Sequence, residues 1–271
     1  MLISLGRACV SPFRVLHGRR EAIGFFVVRD IRARYVNSVL GVWWAVIQPL
    51  ALLLVYTFVF SIIMPARFGA NAEGSYPLYL FCGLLPWLAF SDALVRSTMV
   101  LTDQAPLVKK IAFPAEILPV YVVLSGLVVE FVGLAVLMGA VLVWGEPPGW
   151  TLLALPLIVA LQFLLTVGVA WLLATVTVFI PDVRPAMHLL LTLWMFLTPI
   201  IYDPSMVPDR YRWVLRLNPM AYVVDAYRGA ILEHRWPELL SLGVFAAIAL
   251  VAFLAGHAVF SRHKPTFADL L

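Results

Sequence analysis

The chain is 271 residues long, 63% hydrophobic and only 13% charged, with a formal net charge of +4. Soluble globular domains carry about a quarter of their residues as charged side chains, so this composition excludes an ordinary soluble domain. It excludes nucleic-acid binding as well, because the Lys and Arg gather at the ends of apolar runs and form no basic stripe.

Residues 1–39 form a cytoplasmic N-terminal segment. Arginines at 7, 14, 19, 20, 29, 32 and 34 break its small apolar patches, so no cleavable signal peptide is expected and the first span acts as its own insertion signal. Within 22–36, Ile23, Val27, Ile31 and Tyr35 recur every fourth residue. Arg29 and Arg32 occupy the other side, and Asp30 can pair with Arg34 at i, i+4. This pattern predicts a helix lying in the cytoplasmic interface. The alternative is a basic segment that only sets topology.

A hydrocarbon core of about 30 Å needs about 20 apolar residues in helical form. Six stretches meet that requirement, at 40–64, 76–95, 117–144, 152–180, 186–202 and 239–260. The fold class is therefore all-α, a polytopic membrane protein with a six-helix transmembrane domain at 40–260 and a cytoplasmic tail at 261–271. Alternate sides carry 13 and 6 basic residues, which places both termini in the cytoplasm. Cys9 and Cys82 fall before the first span and inside the second, and indicate neither a disulfide framework nor a metal site.

Between spans five and six, 203–237 faces outside. Asn218 followed by Pro219 is a helix start, a side-chain cap with proline at the first helical position, and Met220, Val223, Val224, Tyr227 and Ile231 supply an apolar face. A helix over 219–232 would be about 21 Å long, too short to cross, so it is expected to be re-entrant or to lie along the surface. It either braces the bundle or gates it. The gate reading invokes Asn218, Pro219 and Tyr222, with Asp225 and Arg228 closing an i, i+3 polar contact.

No GxxxxGK[ST] loop is present, so any ATP must be hydrolysed elsewhere. The five histidines show no HExxH and no ligand spacing with cysteine, and there is no GxSxG elbow. Few ionisable residues occupy the spans. Asp92 can pair with Arg96 one turn later, and Glu130 lies mid-span, either as a proton relay or as a packing carboxyl that is hydrogen-bonded to a neighbouring helix or held protonated. Tyr56, Phe60, Trp87, Phe90, Trp194, Phe196 and Tyr202 are aromatic belt anchors or the lining of a path on which sugars could pack.

Ordered strings carry a family resemblance. Arg32-Ala33-Arg34-Tyr35, then Ser38 to Trp44 and Gln48-Pro49-Leu50, then Gly83-Leu84-Leu85-Pro86-Trp87, Leu107 to Ile111, Phe113-Pro114 and Glu116 to Pro119, and finally Thr198 to Tyr202 with Asn218-Pro219-Met220, together resemble polysaccharide exporter permeases of the ATP-binding-cassette type-two class. The family often has arginine where Pro181 stands. The resemblance implies a homodimer working with two separate ATPase subunits, which bind the ATP and Mg, in the bacterial inner membrane, with no cofactor on this chain. It also implies a lipid-linked polysaccharide of O-antigen, capsule or teichoic-acid type as cargo, ATPase coupling through Leu107, Lys109 and Lys110, and a cytoplasmic gate and head-group contact at Arg29, Asp30, Arg32, Arg34 and Tyr35. Readings from other classes are an ion-driven secondary transporter centred on Glu130 and a membrane-embedded lipid-modifying enzyme.

Overall fold

The structure, a computed structural model, describes residues 17–36, 38–63, 76–109, 113–144, 147 and 149–271. Among them every regular element is helical. In chain order these are α1 (Arg20–Tyr35), α2 (Trp44–Thr57), α3 (Tyr76–Ser97), the short α4 (Val100–Asp103) and α5 (Ala105–Val108), α6 (Ile117–Trp144), α7 (Leu155–Phe179), α8 (Val183–Leu197), α9 (Arg212–Leu217), α10 (Pro219–Ile231) and α11 (Leu239–Leu270).

Among the described residues, four helical runs are long and apolar enough to cross a membrane: α3, α6, α7 together with its leading 3-10 turn, and α11. The other two expected spans form shorter apolar helices, α2 and α8. A 3-10 turn at Gly41–Trp43 precedes α2, and a π segment at Phe58–Ile63 continues it, so the helical run is unbroken although only its middle is α. α8 stops at Leu197 instead of reaching Tyr202. Thr198 adopts an extended backbone (ψ 134°) ahead of Pro199, where the proline ring disfavours helical geometry in the preceding residue.

The core runs along α3. In its most apolar stretch 67% of residues are buried, against 22% for α11, which puts α3 at the centre and α11 at the edge. The most extensive helix pair is α7 with α11. Its close approach depends on missing side chains. A methyl on Gly256 would come 2.1 Å from the Gly168 oxygen, and one on Gly168 would come 2.4 Å from Ala252 backbone. In lipid, where apolar burial gives helices little reason to associate, contact between small residues brings the backbones together.

α11 continues well past 260, the expected end of its span, because Arg262 and Lys264 end the apolar run without ending the helix. Phe260 and Phe267 on this extension are fully buried and meet edge to face at 5.1 Å. At the other end of the chain, α1 packs on α6. Ile23 and Phe26 are buried, and the Phe26 ring stacks on Tyr121 at 5.3 Å. The apolar side of α1 therefore rests on protein, with Phe26 as a contact outside the every-fourth-residue pattern.

Candidate functional site

Two helices meet through charge at the end of the bundle where α1 lies. Asp30 and Arg34 on α1 face Asp92 and Arg96 on α3. Within each helix the i, i+4 pairs are long, 3.5 Å for Arg34 with Asp30 and 3.7 Å for Arg96 with Asp92. Across the helices the contacts are closer: Arg34 donates to Asp92 at 2.8 Å, and Arg96 donates to Asp30. Four charges thus make a neutral, crossed clamp that fixes α1 to the second span.

That clamp alters the expected head-group contact. Arg34 is committed to two carboxylates, whereas Arg29 donates to Gln104 at 3.2 Å and lies over the Phe26 ring. Arg32 is exposed. The side chain of Tyr35 lies outside the described residues.

Beside this clamp, α4 and α5 connect α3 to α6. Leu107 is half-buried against the core, Val108 is buried and Lys109 is exposed, while Lys110 lies outside the described residues. Arg184, at the start of α8, donates to Thr102. Lys264 on the α11 extension places its ammonium 2.8 Å from both carboxylate oxygens of Glu116 at the foot of α6. The connection is thereby held from two sides, and Lys109 points outward.

A cavity of about 480 Å³ opens from the clamp into the bundle, with Arg34 and Asp92 among its lining and Trp87, Glu130, His188 and Thr192 further along. Trp87, Phe90 and Trp194 form an aromatic cluster, their centroids 5.2 to 6.2 Å apart. Phe90 is completely buried in it. Trp87 reaches the cavity wall, Tyr56 is half-buried against the core and Phe196 is 59% exposed. Tyr202 is half-buried, its hydroxyl donating to the Phe196 carbonyl at 3.2 Å. The side chain of Phe60 lies outside the described residues.

At the opposite end, α10 begins as its sequence specifies. Asn218 Oδ1 accepts from the Met220 amide at 3.0 Å and from Trp194 Nε1 at 2.9 Å, while Nδ2 donates to Thr198 Oγ1 at 2.9 Å and to the Leu197 carbonyl at 3.2 Å. One side chain therefore caps α10 and closes the end of α8. Met220, Val223, Val224, Tyr227 and Ile231 are all fully buried, so the apolar face is inside the bundle.

The expected contact between Asp225 and Arg228 is replaced. Asp225 accepts from Arg235 at 2.8 Å, and Arg228 turns inward. Its Nη1 and Nη2 each donate at 2.6 Å, to the carbonyls of Pro199 and Ile200, and its Nε donates to the Tyr79 carbonyl at 3.2 Å. The Pro199 and Ile200 carbonyls lie just past the end of α8, outside its hydrogen-bond ladder, which is why a guanidinium fits there better than a carboxylate. Burial works against the charge of Arg235, but the hydrogen bond and attraction of Asp225, with Glu233 behind, hold its guanidinium above its ordinary value. Tyr222 donates to the Arg216 carbonyl at 2.8 Å and stacks on Phe245. In this arrangement the start of α10 is held by Asn218, and its buried face by Tyr227 and Arg228.

Two partners of the site were not singled out from sequence. Tyr227 on α10 and Gln162 on α7 both reach Glu130 at the middle of α6, at 2.5 and 2.8 Å. Tyr227 was legible only as an apolar-face residue. Gln162 gave one signal, a lone amide within a long apolar run.

The ABC-2 type transporter family profile matches residues 21–232. The chain is similar to the O-antigen export system permease protein RfbA of Myxococcus xanthus, 31% identical over 94% of this chain and 97% of that protein. It is similar also to the O-antigen export system permease protein RfbA of Klebsiella pneumoniae, 26% identical over 90% and 92%. With the polysialic acid transport protein KpsM of Escherichia coli it shares 27% identity over 94% and 96%.

Proposed function

The chain belongs to the ABC-2 type transporter family, and on that premise we propose that it is the transmembrane permease subunit of an ATP-driven exporter that carries a lipid-linked polysaccharide, of O-antigen type, out of the cytoplasm. The observation that carries this reading is the match, over nine-tenths or more of both lengths, to relatives named as O-antigen export permeases and a polysialic acid transport protein. The sequence contains no P-loop, so ATP and Mg belong to a separate ATPase subunit.

Two copies of the chain with two ATPases form the working assembly in the inner membrane, with both termini cytoplasmic. Support for pairing comes from α8, whose Leu189, Leu190, Leu193 and Phe196 are all more than half exposed, and from the large exposed part of α2. The two short apolar helices and their flanking turns complete six crossings per copy, and a two-fold pair encloses a path that one copy is too small to form. Trp87, Trp194, Phe196, Tyr56 and Tyr202 lie along it. The clamp at Asp30, Arg34, Asp92 and Arg96 closes its cytoplasmic end, where Arg29 and Arg32 meet the anionic head group. α10 closes the outer end as a braced cap.

ATPase motion arrives through α4 and α5 with Lys109 at the contact. A gradient-driven carrier is less well supported, because both oxygens of Glu130 are bonded to neighbouring helices. The test is affinity capture of the tagged chain from its native membrane. A P-loop ATPase should come with it in equal amount, and Lys109→Glu should weaken the pair while the chain still inserts. Capture without any ATPase would refute the assignment.

A further inference from the structure

Glu130, Gln162 and Tyr227 are buried, at 3%, 1% and 0% exposure. Their polar atoms close a ring. Glu130 Oε1 is 2.5 Å from the Tyr227 hydroxyl, the same hydroxyl is 2.8 Å from Gln162 Oε1, and Gln162 Nε2 is 2.8 Å from Glu130 Oε2. Each edge is within hydrogen-bond distance, and each needs one hydrogen.

The supply of hydrogens can be counted. The tyrosine hydroxyl has one, the amide places one along the ring, and a carboxylate has none. With Glu130 ionised, one edge is oxygen against oxygen with nothing between them. Turning the Gln162 amide over does not remove the deficit. The amide then donates to Tyr227 and Tyr227 to Glu130, but the Gln162 oxygen faces Glu130 Oε2 across 2.8 Å without a proton. Only a carboxylic acid completes the ring in either orientation.

We propose that Glu130 carries a proton and acts as the neutral third member of this ring, a positioning residue that seats α10 against α6 and α7. The surroundings are consistent. The partners of Glu130 are an amide and a phenol, neither of which can balance a buried negative charge. The nearest cation along α10, Arg228, directs its guanidinium to the carbonyls of Tyr79, Pro199 and Ile200. Gln162 Nε2 also approaches the Pro86 carbonyl at 3.4 Å, so one uncharged joint gathers α3, α6, α7 and α10. Glu130 has no part in proton transport here, since its proton is held within the joint.

The test uses the full chain, purified and returned to lipid. Infrared difference spectra between wild type and Glu130→Gln at neutral pH should show the carbonyl stretch of a protonated carboxylic acid in the wild type and its loss in the variant. The amide of Glu130→Gln supplies the same hydrogen to the ring, so its unfolding temperature should equal that of wild type, and the exchanged pair Glu130→Gln with Gln162→Glu should retain it too. Tyr227→Phe, which removes two edges, should unfold earlier. A spectrum with no protonated band at neutral pH, or Glu130→Gln unfolding clearly below wild type, would overturn the assignment. Both readings are taken on the chain alone, so they stand or fall separately from the transport function.

Discussion

Replacing Arg228 with leucine should loosen the seating of α10 more than any exposed substitution on that helix. Arg228 is 3% exposed, and its guanidinium makes hydrogen bonds to three carbonyls, two of them at 2.6 Å. Hydrogen bonds from a charged donor are worth about 1.5–3 kcal/mol each, and a buried acceptor left without a donor costs about 1–3 kcal/mol. Against this stands the cost of keeping a guanidinium out of water, which Arg228→Leu relieves. Because Pro199 and Ile200 are buried, their carbonyls would be left without a donor, and the net loss should be about 3–5 kcal/mol, roughly 10 °C in unfolding temperature for a chain of this size. Arg228→Lys keeps the charge but cannot span three acceptors and should fall between.

A thiol reports the same event. Cys82 is a free, fully buried cysteine, and a Cβ on its neighbour Gly83 would come 2.9 Å from Arg228 Nη2, so the arginine covers this part of α3. In a Cys9→Ser background, maleimide labelling of Cys82 should be slow with Arg228 present and many-fold faster in Arg228→Leu. An unchanged unfolding temperature together with an equally protected Cys82 would refute the bracing argument.

Gly256→Ala should cost about 1–3 kcal/mol by forcing α7 and α11 apart, since its methyl would lie more than 1 Å inside ordinary contact with Gly168. Gly243→Ala on the same helix meets open space and should leave the unfolding temperature unchanged or raise it slightly, so an equal loss in the two would remove the close-contact explanation. In the clamp, Asp30→Arg places like charges together and should release α1, read as faster proteolysis within 17–36. The exchange Asp30→Arg with Arg96→Asp should restore protection, because the crossed pair is rebuilt with its charges reversed. Unchanged proteolysis in Asp30→Arg would mean that α1 is held without the clamp, and no recovery in the double variant would refute the crossed pairing.

The parts of the fold visible in sequence are those set by local rules. Residues 117–144 form one helix with the expected bounds, because a charge-poor apolar run of that length has few other conformations open to it in a bilayer. α10 starts at Asn218-Pro219 and buries the expected five residues, since capping and helical periodicity are both local. The sequence pattern could not show which distant backbone needs a donor. An i, i+3 rule pairs Asp225 with Arg228, whereas the chain end of α8, 28 and 29 residues away, offers Arg228 two carbonyls. Glu116 and Lys264 are separated by 148 residues, and no spacing rule relates them. Likewise Asp30–Arg34 and Asp92–Arg96 were legible as two separate pairs, and the crossed clamp exists only once α1 packs beside α3. In span five the hydropathy continues through Ile200 and Ile201, while Thr198-Pro199 ends the helix.

The central claim is that ATP, hydrolysed on a partner, drives a lipid-linked polysaccharide through this chain. Its most direct test is reconstitution of the chain with the ATPase that copurifies with it into vesicles carrying a labelled lipid-linked polysaccharide on the ATPase side. The label should appear on the opposite side only with ATP and Mg, and the movement should continue after ionophores collapse every ion gradient. Movement by the chain without its ATPase, or movement abolished by the ionophores while ATP is still hydrolysed, would contradict the account.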